Sequence, residues 1–140
     1  MSLQAFLNKD KRDRKNQVIE FVVSEDFKDQ EGKVVPFQIK PIGFRQFSSL
    51  REKHSKTHIK DKRMIKQTNE GAVTLELCAK SIVYPDLRSA ELQDFYGVMN
   101  ETDLVDAMLD FKEIEKLAEK IMEISGLRQD INELKDEAKT

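Results

Sequence analysis

The chain has 140 residues, of which 39% are hydrophobic and 36% charged, with a formal net charge of −2. That length suits a single domain with its own core, without support from disulfides or metal. Cys78 is the only cysteine, which excludes an intramolecular disulfide and favours a reducing compartment. No apolar run is long enough to span a membrane.

The charge is unevenly spread. Residues 1–85 hold 17 Lys/Arg against 11 Asp/Glu, while residues 86–140 hold 7 against 15. Such polarity can steer partners or bring one copy to another head to tail. In the opening stretch MSLQAFLNKDKRDRK the charges follow a short apolar patch, the reverse of a signal peptide, so a cytoplasmic protein is expected.

In chain order, Ser2 is placed to cap a short helix, LQAFL, which ends at Asn8 in a basic run. In QVIEFVVSEDF, Ile19, Phe21 and Val23 alternate with Val18, Glu20, Val22 and Ser24, the pattern of a strand with one strongly apolar face. SEDFKDQEGK carries turn chemistry, with Gly32 able to take positive φ. In VVPFQIKPI, Val35, Phe37 and Ile39 alternate again, and Pro36 and Pro41 point to an edge strand. Together these predict an N-terminal β-hairpin with a long connection, requiring helices packed on its face.

From Gly43 the period becomes helical, with Phe44, Phe47 and Leu50 on one face. Residues 51–66 then carry seven Lys/Arg, two acids and both histidines. A mobile loop or helix extension is expected near 54–70. AVTLELCAKSIVYPDL fits strand alternation or one helix face; its length and Pro85 favour a helix. Ser89 is placed to cap AELQDFYGV, and Asn100 or Thr102 to cap DLVDAMLDF. A helix over KEIEKLAEKIMEIS should close on Gly126, followed by a terminal helix or arm, RQDINELKDEA. From Ile114 the apolar residues Leu117, Ile121, Ile124, Leu127, Ile131 and Leu134 recur in steps of three or four, one helical stripe broken by Gly126. The predicted fold is a single α+β domain over 1–140, mostly helical. A hairpin region (1–42) precedes a body of about five or six helices (43–126 and the arm 127–140).

Catalytic material is sparse. The five glycines form no phosphate loop, and both histidines sit in the most polar segment, away from any nucleophile. His54 and His58 would share a helix face but lack further zinc ligands, so no metal site is expected, and they read as solvated. Cys78 lies among apolar residues and reads as core. No carboxylate stands in an apolar setting that would mark a tuned acid. Residues 51–66 are basic enough to contact phosphates but lack aromatics for stacking bases, so nucleic-acid binding is the weaker reading. An interaction or assembly protein, without catalytic residues or cofactor, remains.

The order of features resembles the XkdN-like tail assembly chaperones of phages and prophages of Gram-positive bacteria. The resembling stretches are MSLQAFLNKDKR, VIEFVVSEDFKD, VPFQIKPIGFRQFSSLRE, LCAKSIVYPDLRSAELQDFYGV and DLVDAMLDFKEIEKLAEKIMEISGL. The resemblance implies a non-catalytic cytoplasmic chaperone that binds the long, helix-rich tape measure protein and leaves before the tail is complete. It is therefore not expected in the mature virion. A structural tail or connector subunit, and a nucleic-acid accessory protein using 51–66, are the alternatives. Such a client fits an apolar helical face, and Ile121, Ile124, Leu127, Ile131 and Leu134 are the candidate partner-binding residues. Self-association is a further expectation.

Overall fold

A computed structural model describes residues 2–127. After a 3₁₀ turn at Leu3–Phe6, the elements are α1 (Lys9–Arg14), β1 (Ile19–Phe21), β2 (Phe37–Ile39), α2 (Phe44–Lys53), β3 (Ser55–Lys60) and β4 (Arg63–Thr68). They continue as α3 (Glu70–Ser81), β5 (Ile82–Tyr84), α4 (Ala90–Tyr96), α5 (Glu101–Met108) and α6 (Phe111–Ile124). The domain is α+β.

β1 and β2 pair antiparallel, Ile19 opposite Ile39 and Phe21 opposite Phe37. The connection is closed by local bonds: the Asp29 carboxylate accepts from the Glu31 and Lys33 amides, and Gly32 takes φ +83°. β2 is not the edge strand that its prolines suggest. β5 pairs along its other side, so β2 is central in a three-stranded sheet, with a register irregularity between Gln38 and Ile39. Both prolines fall outside the three paired residues, where neither removes a ladder hydrogen bond. Phe37 and Ile39 turn inward and are fully buried.

The predicted helix over residues 72–84 is two elements. Asn69 caps α3 by accepting from the Ala72 amide, and the helix stops at Ser81; Ile82–Tyr84 then pair with β2. α3 is the hub of the helical layer and packs on α2, α5 and α6. Val73, Leu77 and Cys78 on α3 meet Leu50, Leu104, Val105, Leu117 and Ile121 in one core with Ile39 and Ile82. Phe21 links β1 to α6, with Lys116 and Lys120 ammonium groups 5.3 and 5.8 Å from its ring centre.

The segment expected as a loop or helix extension is a second antiparallel hairpin, β3–β4, paired from Ser55–Thr68 to Lys60–Arg63. Its base is tied to the body where the Ser55 and Thr68 hydroxyls lie 2.7 Å apart and Ser55 Oγ donates to the Arg51 carbonyl. α4 and α5 are capped by Ser89 and Asn100, each accepting an amide hydrogen bond from three residues on. α6 begins with a reciprocal box between Asp110 and Glu113.

Candidate protein-interaction surfaces

The apolar stripe of the C-terminal region divides at Gly126. Before it, Leu117 and Ile121 are wholly buried, and Ile114 and Ile124 are half-buried against the same core. The end of α6 is a Schellman stop: Gly126 takes φ +87°, its amide donates to the Glu123 carbonyl, and the Leu127 amide donates to the Met122 carbonyl. Ser125 anchors this end across the fold, accepting from the Ile42 amide at 2.9 Å and donating to the Ile121 carbonyl at 2.6 Å. Leu127 is half-buried at the exit. Of the candidate partner-binding residues, Ile121 is thus a core side chain and Ile124 a rim of the core. Ile131 and Leu134, with the terminal helix or arm, lie outside the described residues.

The β3–β4 hairpin gathers residues that are scattered in the sequence. Alternation puts Thr57, Ile59, Met64 and Lys66 on one face and Lys56, His58, Lys60, Arg63 and Ile65 on the other. Ile59 and Met64 are directly opposite each other and remain 76% and 78% exposed. At its base, Arg51 makes a two-point contact with Glu70 at 3.0 and 2.9 Å, and Lys66 reaches Glu52 at 2.6 Å. The Arg51 hydrogen bond, opposed by slight burial and aided by charge, holds Glu70 below the ordinary carboxylate range. Lys56, Lys60, Lys62 and Arg63 make no ion pair among the described residues.

Where α2 meets α3, Glu76 is buried, 9% exposed, and one of its oxygens accepts from Lys53 Nζ at 2.6 Å with His54 Nε2 at 3.3 Å. Burial alone would raise its pKa. The hydrogen bonds from Lys53 and His54, with their charges, outweigh that and hold it below the ordinary value. This corrects two expectations, because Glu76 is a tuned, sequestered carboxylate and His54 is not solvated. Its partners lie 22 and 23 residues earlier in the chain, so no local pattern reveals them. His54 follows α2 while His58 lies on β3, so they share no helix face. No group of three or more metal-ligating side chains occurs among the described residues. Cys78 is fully buried, and burial pushes its thiol up to about 12. The arrangement around Glu76 braces α2 against α3 and offers no nucleophile.

Two further apolar surfaces escaped the sequence reading. Leu3, Phe6 and Leu7 stand out on the N-terminal 3₁₀ turn, and a groove of about 490 Å³ along α4 is lined by Pro85, Leu92, Phe95 and Tyr96. The spacing of three and four in LQAFL was the signal for the first. The second forms only when the turn at Pro85 is laid against α4. No helix among the described residues is long and apolar enough to cross a membrane.

The surfaces are thus exposed apolar side chains set among charges, on a body that holds Glu76 and Cys78 in structural positions. Comparison with known proteins agrees with that character. The chain is 29% identical over 124 residues to the phage-like element PBSX protein XkdN of Bacillus subtilis (strain 168), covering 86% of this chain and 83% of the relative. It is 27% identical over the same length to the YqbN protein of that organism. The crystal structure of YqbN superposes with a TM-score of 0.65 at 22% identity, covering 79% of this chain and 86% of that one, which establishes a shared fold. The family of phage XkdN-like tail assembly chaperone proteins matches residues 3–139, and the chain belongs to it.

Proposed function

We propose that this protein is a non-catalytic tail assembly chaperone that binds the tape measure protein in the host cytoplasm and is absent from the finished virion. Family membership supplies the assembly role. The observation that carries the binding mode is the exposed Ile59–Met64 pair on a hairpin that also bears four cations unpaired among the described residues. A long amphipathic helix with acidic flanks meets such a surface through its apolar stripe, while the cations face its carboxylates. Leu127, Ile131 and Leu134 are the second candidate contact for the client.

The test is co-expression with the tape measure protein of the same phage, followed by affinity capture at low salt. A complex is expected, and the Ile59→Ser/Met64→Ser double variant should weaken it roughly tenfold without affecting folding, since both side chains are exposed. Failure to capture the tape measure protein from soluble extracts would remove the proposal. The cations at Lys56, Lys60, Lys62 and Arg63 favour one second reading, nucleic-acid binding. That reading requires salt-sensitive retention of DNA or RNA that disappears when those residues become Gln. A structural tail or connector subunit would instead persist in purified tails.

A further inference from the structure

Three adjoining hollows, of about 360, 470 and 470 Å³, run along the side of α3 that carries Glu76, Ala79 and Lys80, and Lys80 lines all three. The first two share Lys53 and Glu76, and the last two share Arg88 and Glu101, so they form one continuous trough. α2 is one wall and the start of α5 is part of the other. Its floor is apolar where Leu50, Ala79 and Leu87 lie buried.

Five cations reach this trough from separate parts of the chain: Lys40 after β2, Arg45 and Lys53 on α2, Lys80 on α3 and Arg88 before α4. Three carboxylates stand among them. Glu76 takes Lys53 at 2.6 Å, Glu101 takes Arg88 at 3.2 Å, and Asp86 accepts from the Arg88 amide. Lys40, Arg45 and Lys80 are exposed and make no ion pair among the described residues. The unmatched positive charge is thus gathered in a concave place, where its field is concentrated.

The pattern of charge selects the occupant. A nucleic acid brings an unbroken row of phosphates, part of which Glu76, Asp86 and Glu101 would repel, and none of the described residues lining the trough is an aromatic on which a base could stack. An α-helix brings carboxylates at separate places, three or four residues apart on one face, with apolar side chains beside them. That layout matches isolated cations around an apolar floor. We propose that the trough binds an acidic amphipathic helix of a partner protein, its carboxylates on Lys40, Arg45 and Lys80 and its apolar side chains over Ala79. The site shares no residue with the β3–β4 hairpin, so the inference does not rest on the client contact proposed there.

The probe is a fluorescein-labelled peptide of about 18 residues, long enough to be helical in water, with glutamates along one face and alanine and leucine beside them. Titrated with the full chain at low salt, it should give saturable fluorescence anisotropy, weakening roughly tenfold or more at high salt. Lys40→Gln/Lys80→Gln and Arg45→Gln/Lys80→Gln should each weaken binding at least about tenfold with circular dichroism unchanged, since these side chains are exposed. Lys56→Gln/Lys60→Gln/Arg63→Gln, on the hairpin, should leave binding unchanged, and the peptide with glutamine in place of glutamate should not bind. No saturable binding, or binding indifferent to the trough variants, overturns the proposal. So does a DNA duplex that displaces the peptide and loses its own binding in the same variants, which would make the trough a nucleic-acid site. Much tighter peptide binding by a chain ending at Leu127 would make this chain's own acidic end the occupant, and self-association abolished by the trough variants would make it a second copy. Either result also overturns the proposal.

Discussion

Glu76 sits on the inner side of α3 and takes its partners, Lys53 and His54, from the end of α2. Because its folded-state pKa lies below the ordinary 4.5, the unfolded chain binds more protons between those two values. The stabilisation is therefore complete above about 4.5 and is lost as pH falls through the folded value. Glu76→Gln should cost about 1–2 kcal/mol at neutral pH, the range for a hydrogen-bonded charge with one partner still solvated. The difference between wild type and variant should shrink towards zero in acid, where the wild-type carboxyl is itself neutral. Urea unfolding at neutral and at acid pH checks this, and a difference independent of pH would show that the contact is not electrostatic. Arg51–Glu70 makes two contacts, at 2.9 and 3.0 Å, but lies largely in solvent, so the same substitution at Glu70 should matter far less.

At the scale of elements, the β3–β4 turn is built against its sequence. Asp61 and Lys62 take φ of 53° and 65°, the left-handed pair of a two-residue hairpin loop that favours Asp-Gly or Asn-Gly. Asp tolerates this region, whereas Lys is strained there by about 1 kcal/mol. Lys62→Gly should strengthen the hairpin by roughly 0.5 kcal/mol after the added freedom of the unfolded chain is counted. Amide exchange at the hydrogen-bonded pairs Lys56–Gln67 and His58–Ile65 would read the gain, and faster exchange in the variant would refute it. The missing glycine is also why this hairpin was illegible: without a turn signal, two strands with few apolar residues read as polar loop. Elements that carry their own boundaries were legible, as at Ser89, Asn100 and Gly126, where a side chain or a positive φ acts locally. β5 was not, because Ile82–Tyr84 continues an apolar helix pattern and becomes strand only through pairing with β2, more than forty residues away.

For the whole molecule, strand alternation put Phe37 and Ile39, and helical spacing put Leu50, on faces that the structure buries, whereas Phe44, on the same predicted face as Leu50, stands exposed. The surfaces were harder to read, since a surface is a meeting of residues that distant segments place side by side. The C-terminal stripe shows the consequence. Among the described residues, every buried apolar side chain lies between Val23 and Ile121, and Ser125 pins the end of α6 to Ile42 before the chain passes Gly126. A chain ending at Leu127 should therefore keep one cooperative unfolding transition and lose no more than about 1 kcal/mol, the scale of a substitution outside the core. Thermal unfolding measures that term, and a larger loss would mean that residues 128–140 contribute to the core. Capture of the tape measure protein by the same truncated chain then separates the two candidate client surfaces. Reduced capture with stability retained would place Leu127, Ile131 and Leu134 in the client contact together with the hairpin. Undiminished capture would leave the Ile59–Met64 face as the contact that holds the client.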